Sequence, residues 1–232
     1  MNLNFRKGIL LLLALFSSQA FAALKCQHPM LTCQHALRDY FYVGATLGAV
    51  GLMDRESTSN PIRDVHYLSA SGGLAGILLG FDMYVMDNFT FGLEGFFNRT
   101  NVSVSDNQNF TPQTSYIAKM RYNTGLRILP GYEFTPDTKG HLILAWSIGN
   151  FKIDDNGNYG IVNDIFSKSG IQMGVGAETA LAKHIALRGD TIYTFYPSNA
   201  TNASTASVPS SSQIYANRFS TLEADLSIVY KV

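Results

Sequence analysis

Leu222, Ala224, Leu226, Ile228, Tyr230 and Val232 are all apolar, and between them stand Glu223, Asp225, Ser227, Val229 and Lys231. Alternation with period two predicts a strand that shows one apolar and one polar face. The same pattern predicts seven more strands. Taking every second residue, their apolar parities run Phe41 to Ala49, Ala75 to Val85, Phe89 to Phe97, Met120 to Phe134, Leu142 to Ile148, Ile171 to Thr179 and Ile185 to Phe195. None of these positions carries a charge. The opposite parity collects Asp82, Glu94, Lys119, Arg121, Arg127, Glu133, Glu178, Arg188, Asp190, Glu223, Asp225 and Lys231, together with His141. Small residues such as Gly44, Gly76, Gly80, Gly125, Gly174 and Gly176 share that second face.

A soluble sandwich would have to bury all those charges if the apolar face were its surface, which is prohibitive. Hydrocarbon demands the reverse of a soluble barrel, apolar outside and polar inside. Because lipid offers no hydrogen bonds, the strands must also close on themselves. The predicted fold is therefore all-β: an eight-stranded antiparallel up-and-down transmembrane β-barrel. A membrane helix is not an alternative. The longest apolar run after the N-terminus, Gly72 to Phe81, stops at Asp82, about half the length a spanning helix needs.

The connections alternate in length. Asp54 to Ser71, Asn98 to Tyr116, Asn150 to Ser169 and Tyr196 to Ala216 read as long loops, and Met86 to Asn88, Thr135 to Gly140 and Ala182 to His184 as short turns. That asymmetry predicts four extracellular loops, three periplasmic turns and periplasmic termini. Aromatic residues gather near both ends of the strands, as two interfacial girdles would require.

At the N-terminus, Arg6 and Lys7 precede the apolar stretch Ile9 to Phe16 and the small-residue site Ala20-Phe21-Ala22. This is the pattern of a secretory signal peptide cleaved before Ala23. The expected organisation is a signal peptide over 1–22, a short periplasmic segment over 23–39 and a barrel over 40–232. Lysine plus arginine equal aspartate plus glutamate at 17 each, which does not suggest nucleic acid as a partner. Twenty glycines, 15 phenylalanines and 12 tyrosines agree with β structure.

Tyr42 to Gly48 (Y-V-G-A-T-L-G), Phe91 to Phe97 (F-G-L-E-G-F-F) and the alternating C-terminal strand, behind a signal peptide, resemble the small eight-stranded outer-membrane β-barrel proteins. These are the group related to the transmembrane domain of outer membrane protein A and to the opacity and Ail-type surface proteins. The resemblance covers 40–232. It implies residence in the bacterial outer membrane, contact with outer-membrane lipid, and recognition of the C-terminal strand by the barrel assembly machinery.

Candidate chemistry is sparse. Cys26 and Cys33 lie close in a chain bound for an oxidising compartment and read as a disulfide clip. With His28 and His35 they do not have zinc-ligand spacing. Asp154, Asn156 and Asn158 begin like a calcium loop, but Tyr159 and Ile165 stand where glycine and glutamate are needed. None of the five histidines belongs to a nucleophilic motif, and no enzyme activity, metal or cofactor is expected. The remaining constellation is the inward set of charges: Asp82, Glu94, Lys119, Arg121, Arg127, Glu133, Glu178, Arg188, Asp190, Glu223 and Asp225, with Lys231. Eight strands enclose just enough space for side chains, so these groups are expected to pair as an interior network; a proton or ion path is the functional alternative. The expected function is a membrane-anchored structural or adhesin-like protein that meets an extracellular partner through its loops, with a narrow pore or small hydrophobic-ligand carrier as the second reading.

Overall fold

The computed structural model describes residues 39–58, 65–86, 88–108, 114–157, 160–197 and 215–232. The expected signal peptide over 1–22, all but the last residue of the expected periplasmic segment over 23–39, and Cys26 and Cys33 lie outside them. The strands are β1 (Tyr40–Thr58), β2 (Val65–Met86), β3 (Phe89–Thr100), β4 (Ser103–Gln108), β5 (Thr114–Thr135), β6 (Thr138–Gly157), β7 (Gly160–Ala182), β8 (Ile185–Tyr196) and β9 (Tyr215–Lys231). Each pairs antiparallel with its neighbours. β1 pairs with both β2 and β9, and β3 and β4 both pair with β5. β3 and β4 are thus one barrel strand, broken at Asn101 and Val102. Hydrogen bonds of 3.2 Å from Asn101 N to Gly73 O and from Met120 N to Val102 O carry the chain across the break. The result is a closed eight-stranded antiparallel barrel, with no free edge for another chain to template on.

Phe41, Val43, Leu47, Ile77, Leu79, Leu93, Leu126, Leu142, Leu144, Trp146, Met173 and Leu226 are exposed on the wall, as the apolar parity predicts. Two features depart from the sequence reading. First, most of the segments read as long loops are paired strand. β6 and β7 stay in register up to Gly157↔Gly160, and β1 and β2 up to Ser57↔Val65. β5 has 22 residues, about 70 Å along the strand and about 50 Å high at 45° tilt, twice the ~25 Å apolar band. The barrel wall therefore rises well beyond the membrane.

Above the band the polarity inverts. Ser69, Ser71, Ser103, Ser105, Ser167 and Ser169 are exposed. Val50, Leu52, Leu74, Val102, Val104, Ala118, Met120, Phe151, Tyr196 and Phe219 form one buried cluster inside. A wall passing from hydrocarbon into water must exchange its faces in this way. A search for outward apolar residues cannot see those strand ends.

Second, β5 carries a bulge between Met120 and Tyr122. The extra residue, Arg121, reverses the side-chain parity, because a slip of one residue moves every side chain to the other face. Met120 is buried while Lys119 and Arg121 are exposed. The expectation that Lys119 and Arg121 belong to the interior is corrected: both stand on the outer wall.

Candidate functional site: the filled interior

The lowest layer, at the short-turn end, gathers Asp82 from β2, Glu178 from β7, Lys139 from β6 and Lys231 from β9. Tyr40 Oη donates to Asp82 Oδ2 at 3.0 Å, and Lys139 Nζ donates to Tyr40 Oη at 3.0 Å. Lys139 also pairs with Asp82, and with Glu178 at 3.6 Å. Lys231 Nζ meets Glu178 at 2.8 Å and lies 4.5 Å from the centre of the Tyr40 ring. Two acids and two lysines balance. Glu133 sits half-buried and bonds Tyr84 Oη. Lys139 falls within the stretch Thr135 to Gly140, which the sequence pattern marks as a turn. Extending the inward parity of His141 and Ile143 back by two residues would have found it.

The middle layer is built on Glu94. Arg127, its cross-strand partner on β5, reaches Glu94 Oε1 at 3.2 Å, and Tyr42 Oη donates to Oε2 at 3.1 Å. Arg188 of β8 reaches Oε2 at 2.6 Å and turns its Nε to Asp190 Oδ2 at 2.8 Å. His141 Nε2 joins Asp190 Oδ1 at 2.9 Å. A Cβ at Gly176 would collide with both Asp190 and the His141 ring, so the glycine makes room for that pair. Asn123 Nδ2 and Thr221 Oγ1 each donate to Glu223 Oε1 at 3.2 Å. The Arg127 guanidinium stacks over Phe96 at 3.9 Å.

The strand order places β3 and β8 four apart around the eight, diametrically opposite. The Glu94–Arg188 ion pair therefore spans the lumen. Asn123–Glu223, between β5 and β9, and Tyr40–Lys139, between β1 and β6, span it as well.

Above lies the apolar cluster. Phe151 stacks on Phe219 with centroids 4.6 Å apart and meets Tyr196 edge-on at 5.1 Å. Lys168 projects its ammonium over the Phe219 ring at 4.9 Å. Burial holds this lysine below the usual lysine range, against the pull of Asp54. Lys168 and Asp54 were both missed because they fell in segments read as loops.

Of the expected interior set, the structure brings together Asp82, Glu94, Arg127, Glu178, Arg188, Asp190, Glu223 and Asp225, all buried, with Glu133 at the rim. It does not bring in Lys119 and Arg121. Four acids of the middle layer (Glu94, Asp190, Glu223, Asp225) face two arginines and His141. Asp225 lies directly across from Asp190, and among the described residues neither of its carboxylate oxygens has a hydrogen-bond partner. A buried acid in that position either holds an uncompensated charge or must take up a proton. Asp225→Asn keeps the shape and removes the cost. The expected result is a barrel more stable by about 1 kcal/mol at pH 8, read as a higher urea midpoint in detergent. A lower midpoint would show that the carboxylate has a partner that the amide cannot replace.

A family model described as "Outer membrane protein beta-barrel domain" matches residues 8–213. The chain belongs to this family. Membership places the barrel in the bacterial outer membrane, and in outer-membrane barrels the longer hairpins are the extracellular ones. No curated protein matches the sequence. Among solved structures, this family member is similar to OprG from Pseudomonas aeruginosa, at 12% identity over 86% of this chain and 98% of that one, with a TM-score of 0.43. Neisserial surface protein A aligns at 16% identity over 81% and 96%, TM-score 0.41. The attachment invasion locus protein Ail of Yersinia pestis aligns at 11% over 82% and 98%, TM-score 0.39.

Proposed function

We propose that this protein is a non-enzymatic membrane anchor that presents its outer hairpins for surface interaction. The carrying observation is the direct 2.6 Å ion pair between Glu94 and Arg188 on opposite walls. With Asn123–Glu223 and Tyr40–Lys139 it bridges the lumen at three places, and the apolar cluster around Phe151 and Phe219 fills the space above. A water column of useful width has no room beside these side chains. The tall wall supports the same reading, since it lifts the tips of the hairpins well clear of the lipid. His141 bonds Asp190 and His184 bonds the Lys231 carbonyl, so neither is engaged with a hydroxyl nucleophile.

Planar-bilayer recording of the folded protein tests this reading. The expected trace shows no steady openings. Stable openings whose conductance shifts in Arg127→Ala, with unchanged unfolding, would replace the anchor by a narrow pore. In parallel, cells displaying the protein are tested for adhesion to immobilised glycoproteins and to one another. Replacing 198–213 by a short Gly-Ser turn is expected to reduce adhesion while leaving the heat-modifiable gel shift of a closed barrel intact.

A further inference from the structure

The bulge in β5 creates a feature that the alternation alone hides. Arg99 at the top of β3 and Lys119 and Arg121 on β5 are all exposed on the outer wall. Arg99 pairs across the strands with Tyr122, the residue next to Arg121, and Lys119 lies across from Ser103. With neighbouring strands about 4.8 Å apart, the three cations fall within a patch about 10 Å wide. Among the described residues none of the three has an ion-pair partner. The next cation along the sheet, Lys152 opposite Lys119, is already paired with Asp154 at 3.0 Å. At the same level, the described exposed positions on β2 and β7 (Ser69, Ser71, Ser167 and Ser169) are neutral. The three cations are thus grouped on two neighbouring strands, while Arg218 is exposed on β9, three strands from β3.

The height of the patch identifies what it meets. Immediately below it, Phe97 and Tyr122 stack with centroids 5.7 Å apart, and below these the wall is Leu93, Gly95, Leu126 and Ile128. Aromatic pairs of this kind mark the boundary between hydrocarbon and headgroups. From Tyr132 to Tyr122 is ten residues, about 33 Å along the strand and about 23 Å in height at 45° tilt. That matches the ~25 Å apolar band, so the cations begin where the acyl chains end. Two guanidinium forks and an ammonium at headgroup height suit phosphate, which arginine can bind through paired N–H groups.

We propose that Arg99, Lys119 and Arg121 form a docking surface for the phosphates of an anionic glycolipid of the outer leaflet, whose acyl chains lie against Phe97, Tyr122 and Leu126. The bulge is the device that turns Lys119 and Arg121 outward, and the site is independent of what the hairpins bind. Each cation near an anionic headgroup contributes roughly a fivefold increase in affinity, so the three together contribute on the order of 100-fold.

The test uses the full-length folded protein in uncharged detergent, with bound lipid counted by native mass spectrometry. The probes are bisphosphorylated lipid A, its monophosphorylated form, and a heparin oligosaccharide as a soluble polyanion. Bisphosphorylated lipid A is expected to bind best, and the monophosphorylated form more weakly. The triple variant Arg99→Gln, Lys119→Gln, Arg121→Gln is expected to lose most of that affinity. Arg218→Gln, an exposed arginine on β9 away from the patch, is expected to retain it. The heat-modifiable gel shift checks folding of the triple variant, and Arg121→Gln alone, expected to lose roughly fivefold, carries the test if the triple variant does not fold. Equal lipid binding by the parent and the substituted protein would overturn the proposal, as would an equal loss in Arg218→Gln. Heparin binding as tight as lipid binding, and lost with the same substitutions, would assign the patch to a soluble polyanion instead.

Discussion

Arg188→Ala is expected to lower the unfolding free energy by about 3–5 kcal/mol. Arg188 is 1% exposed and holds Glu94 from the opposite wall while its Nε holds Asp190. Its removal leaves two buried carboxylates short of a countercharge, in a layer where Glu223 and Asp225 already crowd the same space. The comparison is Lys152→Ala, which breaks a pair that is about 30% exposed on both sides; solvent screens it, and the expected change is at most about 1 kcal/mol. Glu94→Gln combined with Arg188→Met is expected to recover part of the loss, because the cost lies in the orphaned charges more than in the missing attraction. Equilibrium urea unfolding in detergent measures all three. If Arg188→Ala cost no more than Lys152→Ala, water would be solvating the survivors and the lumen would not be packed.

The reason so much of this barrel is readable from its sequence is that hydrocarbon imposes a one-sided rule. Across the apolar band every outward position must be uncharged, so parity alone separates Leu226 from Asp225 and Leu93 from Glu94. The rule stops at the edge of the band. Beyond it the inside is apolar and the outside polar, so Leu68 and Phe166 give no lipid-facing signal and the strand ends that carry them read as loops. Parity also carries no information about an inserted residue. The pattern Met120, Tyr122, Thr124 looks unbroken, yet the bulge at Arg121 reverses the face above it and takes Lys119 out of the interior. Finally, parity says that Glu94 and Arg188 point inward but not at what angle around the barrel. That they meet across the diameter depends on the stagger of the closed sheet, which no single strand encodes. The balanced lower layer of Asp82, Glu178, Lys139 and Lys231 depends on the same stagger, drawing its members from four strands.

Arg at Leu226 is expected to cost about 2–4 kcal/mol in a bilayer, and Arg at Val232 about 0–1. Both residues point away from the lumen, at 56% and 72% exposure, so burial within the protein cannot distinguish them; only depth can. Leu226 stands between Leu47 of β1 and Gly189 of β8, in the middle of the apolar wall. There the guanidinium must reach several residues along the strand to find water. Val232 follows the last residue of β9, beside the periplasmic headgroups. Ser167→Arg extends the series to the exposed face of β7 above the band, where the wall meets water and the expected cost is near zero. Unfolding from phospholipid vesicles measures the three variants on one scale. A cost that peaks at Leu226 and falls toward both ends locates the hydrocarbon on this wall. Equal costs at all three would place no lipid there, and the inversion of polarity above the band would then need another cause.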